Sequence, residues 1–202
     1  MSLYLDTDDF LLIRNSIEAR TYKEKLRLRS YGTPRSDDRI FFEIKKKYKG
    51  VVYKRRISTT IASAEEYIRN GTKPESSQIM NEIEYAMSVY RRPEPRMLIA
   101  YDREAFFATD SQTLRLTFDT NLRYRTDELA LERGSHGKYI LNENEIILEI
   151  KTDGAMPLWL SRALSETGIY PTGFSKYANA YRDFSENEHS ASKKGTTDHV
   201  TV

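Results

Sequence analysis

Lys25, Arg27 and Arg29 stand two residues apart within the stretch from Tyr22 to Ser30, so in an extended chain their side chains project from one face. The same spacing joins Glu43 to Lys45, Tyr101 to Arg103 and Glu149 to Lys151, and places Arg115 with Thr117 and Asp119. The opposite faces carry Leu26 and Leu28, Phe42 and Ile44, and Leu148 and Ile150. Cations crowded on one face repel one another, and an anion of matching charge relieves that cost. Linear phosphates fit, because an Arg fork grips two phosphate oxygens while Lys acts as a point charge. The acids among these cations, Glu149 first and Glu43 second, would repel phosphate unless a divalent ion, Mn2+ or Mg2+, lay between them. Any one such strand is equally compatible with a solvated sheet face. If the sheet closes with its charged face inward, the five together line a polar tunnel.

The elements that hold these residues are mostly strands, marked by two-residue alternation. They are expected at Tyr4 to Asp6, Tyr22 to Ser30, Arg39 to Tyr48, Val51 to Ser58, Arg96 to Ala108, Leu114 to Asp119, Leu129 to Leu131 and Ile146 to Thr152. Lys49-Gly50 reads as a tight turn joining two of them, and Thr109-Asp110-Ser111 as another turn. About eight short strands suit an antiparallel barrel or sandwich. Helices are placed by their caps: Ser63 with Glu66 as a capping box ending near Asn70-Gly71, and Ser76 or Ser77 ahead of a stripe of Ile79, Ile83, Met87 and Tyr90. Pro157 suits the first turn of a helix over Leu158 to Thr167, and Ser175 caps a last one from Lys176 to Phe184. The polar sequence over 186–202 is expected to be a disordered tail, leaving 1–185 as one domain.

Composition narrows the function classes. At 202 residues, with 39% hydrophobic and 31% charged residues and 14 Tyr, the chain can bury a core and is too aromatic to be disordered. The 32 Lys+Arg against 30 Asp+Glu leave only +2, too little for bulk charge to attract nucleic acid or a membrane. Neither is therefore expected as a partner. The absence of Cys excludes disulfides, thiolate zinc sites and cysteine nucleophiles, and fits a reducing, cytoplasmic setting. No phosphate-binding glycine loop, His-Glu-x-x-His or Gly-x-Ser-x-Gly occurs. His136 lies in a Gly-flanked loop and His189 and His199 in the polar tail, so histidine chemistry is not expected. Trp159 reads as helix packing, and Tyr22, Tyr31, Tyr48 and Tyr53 as ordinary strand residues.

Five motifs in order carry a resemblance: Lys25-Leu26-Arg27-Leu28-Arg29-Ser30-Tyr31, Phe42-Glu43-Ile44-Lys45-Lys46-Lys47-Tyr48, Val52-Tyr53-Lys54-Arg55-Arg56, Leu148-Glu149-Ile150-Lys151 and Phe174-Ser175-Lys176-Tyr177. Together they resemble the VTC domain, the catalytic domain of the vacuolar transporter chaperone polyphosphate polymerase, a CYTH-like triphosphate tunnel metalloenzyme, over about residues 4 to 184. The resemblance implies a mainly β, closed antiparallel eight-stranded β-barrel tunnel with flanking helices. It implies transfer of the γ-phosphate of ATP onto polyphosphate with Mn2+ or Mg2+ as cofactor. Arg27, Arg29, Lys45, Arg103 and Arg115 match phosphate ligands, Glu149 the metal-binding glutamate, and Lys151 and Lys176 the basic residues near the reacting phosphates. The family begins with a further basic strand and helix, so part of the tunnel wall ahead of Tyr4 is expected to be missing from this chain. A triphosphatase on the same barrel and a non-catalytic polyphosphate-binding module are the alternative readings.

Overall fold

A computed structural model describes residues 1–19, 21–109 and 113–195 of the chain. The strands are β1 (Ser2–Asp6), β2 (Tyr22–Arg29), β3 (Arg39–Tyr48), β4 (Val51–Thr60), β5 (Glu94–Phe107), β6 (Arg115–Arg125), β7 (Lys138–Tyr139) and β8 (Ile147–Lys151). The helices are α1 (Leu11–Glu18), α2 (Ile61–Asn70), α3 (Gln78–Val89), α4 (Leu158–Glu166) and α5 (Lys176–Gly195). All strand pairs are antiparallel, in the order β4-β3-β2-β1-β5-β6-β7, and β8 pairs with β6 beside Arg115 to Asp119. No helix among the described residues is long and apolar enough to cross a membrane.

Local chemistry explains most of these elements. Lys49 (φ 46°) and Gly50 (φ 87°) form the two-residue turn between β3 and β4, a geometry that favours left-handed backbone at both positions. Ser77 caps α3 by accepting from the Met80 amide at 3.1 Å, as its position before the apolar stripe predicts. At α2 the cap is Thr60, which accepts from Ser63 at 3.2 Å, so the helix starts ahead of the expected Ser63 box.

The sheet's two faces separate apolar from charged residues. On one face Leu3, Leu5, Leu28, Phe42, Ile44 and Leu98 pack against Leu12 of α1, Tyr67 of α2 and Ile83 of α3, all fully or almost fully buried. Each such Leu, Ile or Phe contributes roughly 1.5–3 kcal/mol. On the other face only the middle is apolar: Tyr4, Met97, Ile99 and Tyr124 lie under Tyr177 and Ala180 of α5. The charged residues flank this strip.

The closed barrel expected from the resemblance is not present, because the sheet stays open between β4 and β8. Closure requires the two edge strands to bond along their length. β8 is only five residues long and pairs with β6 alone, while Val51 to Arg56 of β4 remain exposed. The strand expected at Leu129 to Leu131 is a 3-10 turn at Leu131–Arg133, and the eighth strand is β7 instead. β6 runs beyond the expected Asp119 to Arg125, bending at Asn121 (φ 51°), where its register with β5 shifts. α5 continues past Phe184 to Gly195; the rest of the expected tail, 196–202, lies outside the described residues, as do Asp110 and Ser111 of the expected turn.

α1 has no counterpart among the helices expected from sequence. It is set by the buried Asp6, whose Oδ1 accepts from the Leu12 amide at 2.8 Å and whose Oδ2 accepts from Ile13 at 3.0 Å. An acid placed at a helix N-terminus satisfies amides that have no partner within the helix. Burial nevertheless holds the Asp6 carboxyl above its ordinary pKa, outweighing these bonds.

Candidate functional site

Register decides which residues share the charged face. Arg27 lies opposite Glu43, and Glu43 opposite Arg56; one row on, Lys25 lies opposite Lys45 and Lys45 opposite Lys54. Across the sheet, Arg103 lies opposite Asp119, Arg115 opposite Lys151 and Thr117 opposite Glu149. Directly opposed residues point to the same side of a sheet. The alternation read from sequence therefore resolves into two charged arms, β2-β3-β4 and β5-β6-β8, on either side of the strip under α5.

Each arm is built round a buried carboxylate. Glu43, 1% exposed, receives Arg27 through Nε at 2.8 Å and Nη2 at 2.6 Å, and Lys54 Nζ stands 2.9 Å from its other oxygen. Burial would raise the Glu43 carboxyl, but Arg27 and Lys54 outweigh it and hold the pKa below the ordinary value. Arg27 also reaches Tyr4 OH at 3.3 Å. In the second arm Asp119, fully buried, accepts from Arg103 Nε at 2.5 Å and Nη2 at 2.7 Å, while Lys176 Nζ lies 2.5 Å from Oδ2. Burial again pushes the Asp119 carboxyl up, and Arg103 and Lys176 bring it below its usual range. Asp119 and Lys54 are thus structural partners of the site that the sequence reading left outside it. The opposed register of Arg103 and Asp119 in a hairpin is the pattern that could have revealed Asp119.

The remaining expected residues take distinct places. Glu149 is half-exposed, with Lys151 Nζ 3.2 Å from Oε1 and Arg103 Nη2 3.2 Å from Oε2. Its pKa is also below the ordinary value, because Lys151 and Arg103 outweigh the opposing effect of burial. Arg29 sits over the Tyr31 ring at 5.1 Å and Arg115 over Phe107 at 5.0 Å. Arg29, Lys45 and Arg115 have no carboxylate partner among the described residues, and Arg115 Nε is buried without a hydrogen bond. The first residues of α5 join the arms: Ser175 Oγ accepts from Lys25 at 2.9 Å, and Lys176 reaches Asp119 and the Tyr101 ring, 4.7 Å from its centroid.

A metal could be held only in part by protein. No group of three or more His, Asp or Glu side chains placed to ligate an ion occurs among the described residues. Glu43 and Asp119 are buried among their cations, whereas Glu149, flanked by Lys151 and Arg103, is half-exposed. That donor set fits a hard divalent cation held by one carboxylate, with phosphate oxygens and water completing its shell, and does not fit an all-protein cage.

Two cavities among the described residues lie elsewhere. One of about 590 Å3 lies between the start of α1 and the end of α3, where Asp8 and Glu94 pair with Arg96. The other, of about 420 Å3, is bounded by Asp102, Arg123 and His136. The charged face is an open trough and encloses neither.

Comparison with known families matches residues 1–184 to the VTC domain. A comparison with curated proteins finds no match. Among solved structures, a candidate adenylate cyclase from Bacillus halodurans is similar at 13% identity and a TM-score of 0.49, over 86% of this chain and 76% of its own.

Proposed function

The chain belongs to the VTC domain family, and on that footing we propose that it is a metal-dependent phosphotransferase moving the γ-phosphate of ATP onto polyphosphate. The observation that carries this reading is the excess of cations on the charged face. Among the described residues Arg29, Lys45 and Arg115 lack carboxylate partners there, while Glu43 and Asp119 are each enclosed by cations. A linear triphosphate supplies the missing negative charge.

In the proposed reaction Arg29, Arg115 and Lys45 bind phosphate oxygens, and Arg27 and Arg103 are held ready by Glu43 and Asp119. Lys151 and Lys176 stand near the transferring phosphoryl group and stabilise charge that spreads over its oxygens. An oxygen of the acceptor's terminal phosphate attacks the γ-phosphorus, and the bond from that phosphorus to the bridging β–γ oxygen breaks, releasing ADP. The acceptor oxygen is already ionised near neutral pH, so no side chain has to remove a proton. Glu149 would hold Mn2+ or Mg2+, which neutralises phosphate charge when bound. The residues contribute positioning and a fixed field.

The opening between β4 and β8 supports a second reading, hydrolysis of triphosphate, because it leaves the trough accessible to water as an acceptor. Incubation with ATP and Mn2+, followed by gel resolution of polyphosphate and assay of free phosphate, separates the two. Polymer without matching phosphate release supports transfer; phosphate without polymer supports hydrolysis; neither product removes both. Glu149→Ala is expected to abolish metal-dependent turnover, and full activity in that variant would take Glu149 out of the site.

A further inference from the structure

Tyr22, Tyr48 and Tyr53 are strand residues left about half exposed, at 42%, 47% and 51%. With Val51 and Val52, 54% and 49% exposed, they occupy the end of the sheet where β3 turns into β4 at Lys49-Gly50. Tyr22, Tyr48 and Val51 lie side by side across three strands, and the two tyrosine rings meet edge to face at 6.5 Å. In the next row Lys23, Lys47 and Val52 are aligned on the opposite face, so the lysines and the tyrosines meet only at the end of the hairpin. Of the seven cations from Lys45 to Arg56, Lys46, Lys54, Arg55 and Arg56 pair with Glu24, Glu43 or Glu82, which leaves Lys45, Lys47 and Lys49 in excess. Lys23, Lys47 and Lys49 have no carboxylate partner among the described residues.

The geometry points to this hairpin tip as a docking surface for a phospholipid bilayer bearing anionic headgroups. Contiguous exposed apolar surface marks an interaction site. Tyrosine suits the boundary of a bilayer, where one edge of the ring is apolar and the hydroxyl is wet. Lysine stems lie along apolar surface while their ammonium groups reach headgroup phosphates. Bulk charge gives no reason to expect a membrane partner; the local concentration of cations does. Nucleic acid is the weaker fit. Val51 and Val52 gain nothing from base stacking, and the unpaired cations at the tip are lysines, which lack the two-pronged grip of arginine on phosphate.

The test uses the full chain with inorganic triphosphate present throughout, so that the charged trough is occupied. Sedimentation with vesicles of phosphatidylcholine alone is compared with vesicles that also contain phosphatidylglycerol. Binding is expected only to the second kind and to weaken as salt is added. Lys47→Ala combined with Lys49→Ala should lower partitioning about 25-fold, at about fivefold per lysine. Tyr48→Ser combined with Val51→Ser should lower it too, and all four side chains are exposed enough for the fold to survive, which an unchanged melting temperature checks. Equal partitioning of the variants and the parent chain would overturn the proposal. So would a single-stranded oligonucleotide that binds through the same residues while anionic vesicles sediment no protein.

Discussion

Lys176 holds its ammonium 2.5 Å from Asp119 Oδ2 while the adjacent Ser175 accepts a hydrogen bond from Lys25, so the start of α5 clamps both arms of an open sheet. Asp119 is fully buried and faces two cations, Arg103 and Lys176. Its removal strands Lys176 and leaves Arg103 with Glu149 alone. Breaking a buried ion pair from one side costs about 3–5 kcal/mol, and Asp119→Asn is expected to lose stability on that scale in denaturant unfolding. Lys176→Ala leaves Arg103 on the carboxylate and should cost less, about 1.5–3 kcal/mol. The double variant is expected to lose little more than Asp119→Asn alone. Strictly additive losses would show that the two residues act independently.

Arg29 and Arg115 call for the opposite behaviour. Neither has a carboxylate partner among the described residues, so neither contributes an ion pair to the fold. Arg29→Ala and Arg115→Ala should cost the free chain little more than a cation–π contact, about 0.5–1 kcal/mol of stability. Both should shrink the rise in melting temperature that inorganic triphosphate produces, since that rise scales with affinity. A variant that keeps the full rise does not bind phosphate through the residue removed.

The two-residue alternation of β2, β3, β5 and β8 made the charged face legible in the sequence, because a strand's period of two fixes which side chains travel together. Alternation carries no information about the ends of a sheet. Closure depends on whether β4 and β8 bond to each other, a long-range pairing that neither strand's own residues specify, and here the edges stay apart. The family resemblance supplied a barrel at that step, and the sheet corrected it. α1 escaped notice for a different reason: its anchor, Asp6, lies in β1, several residues ahead of the amides it caps. Asp119 was visible as a neighbour of Arg115 along the strand, yet its partner is Arg103 across the hairpin, with Lys176 reaching it from the far end of the chain.

The carboxylates of the charged face make the chain sensitive to acid. In Glu43, Asp119 and Glu149 burial is outweighed by neighbouring cations, and each folded pKa lies below the ordinary value. An acid depressed in this way contributes fully above its unfolded pKa, about 3.9 for Asp and 4.3 for Glu. That contribution is lost as pH falls through the folded value. Asp6 runs the other way: its raised pKa gives stability present below the unfolded value and lost as pH rises through the folded one. Asp9 and Asp183 are depressed as well, so five acids against one raised acid among the described residues predict a net loss of stability below about pH 4. Unfolding midpoints taken from neutral to acid pH check this, and Glu43→Gln should flatten the curve. A profile that stays level through the acid range would contradict the assigned ion pairs.

Tyr177 offers the sharpest separation of packing from hydrogen bonding. Its ring stacks on Tyr4 at 4.1 Å and 17°, and its hydroxyl donates to Asp6 Oδ2 at 2.8 Å. Asp6 also accepts from the Thr7, Leu12 and Ile13 amides, so one carboxylate joins β1, α1 and α5. Burial and the nearby Asp6 charge push the Tyr177 phenol well above its usual pKa, so it remains a donor at any working pH. Tyr177→Phe keeps the stack and removes a hydrogen bond to a charged group, a change of about 1.5–3 kcal/mol. The Leu12 and Ile13 amides should stay protected from hydrogen exchange in that variant, because Asp6 still caps α1. Tyr177→Leu also removes the aromatic pair, which adds about 0.5–1.5 kcal/mol. If Tyr177→Phe is as stable as the parent chain, the stack alone holds α5 to the sheet, and the bond to Asp6 contributes nothing to the clamp.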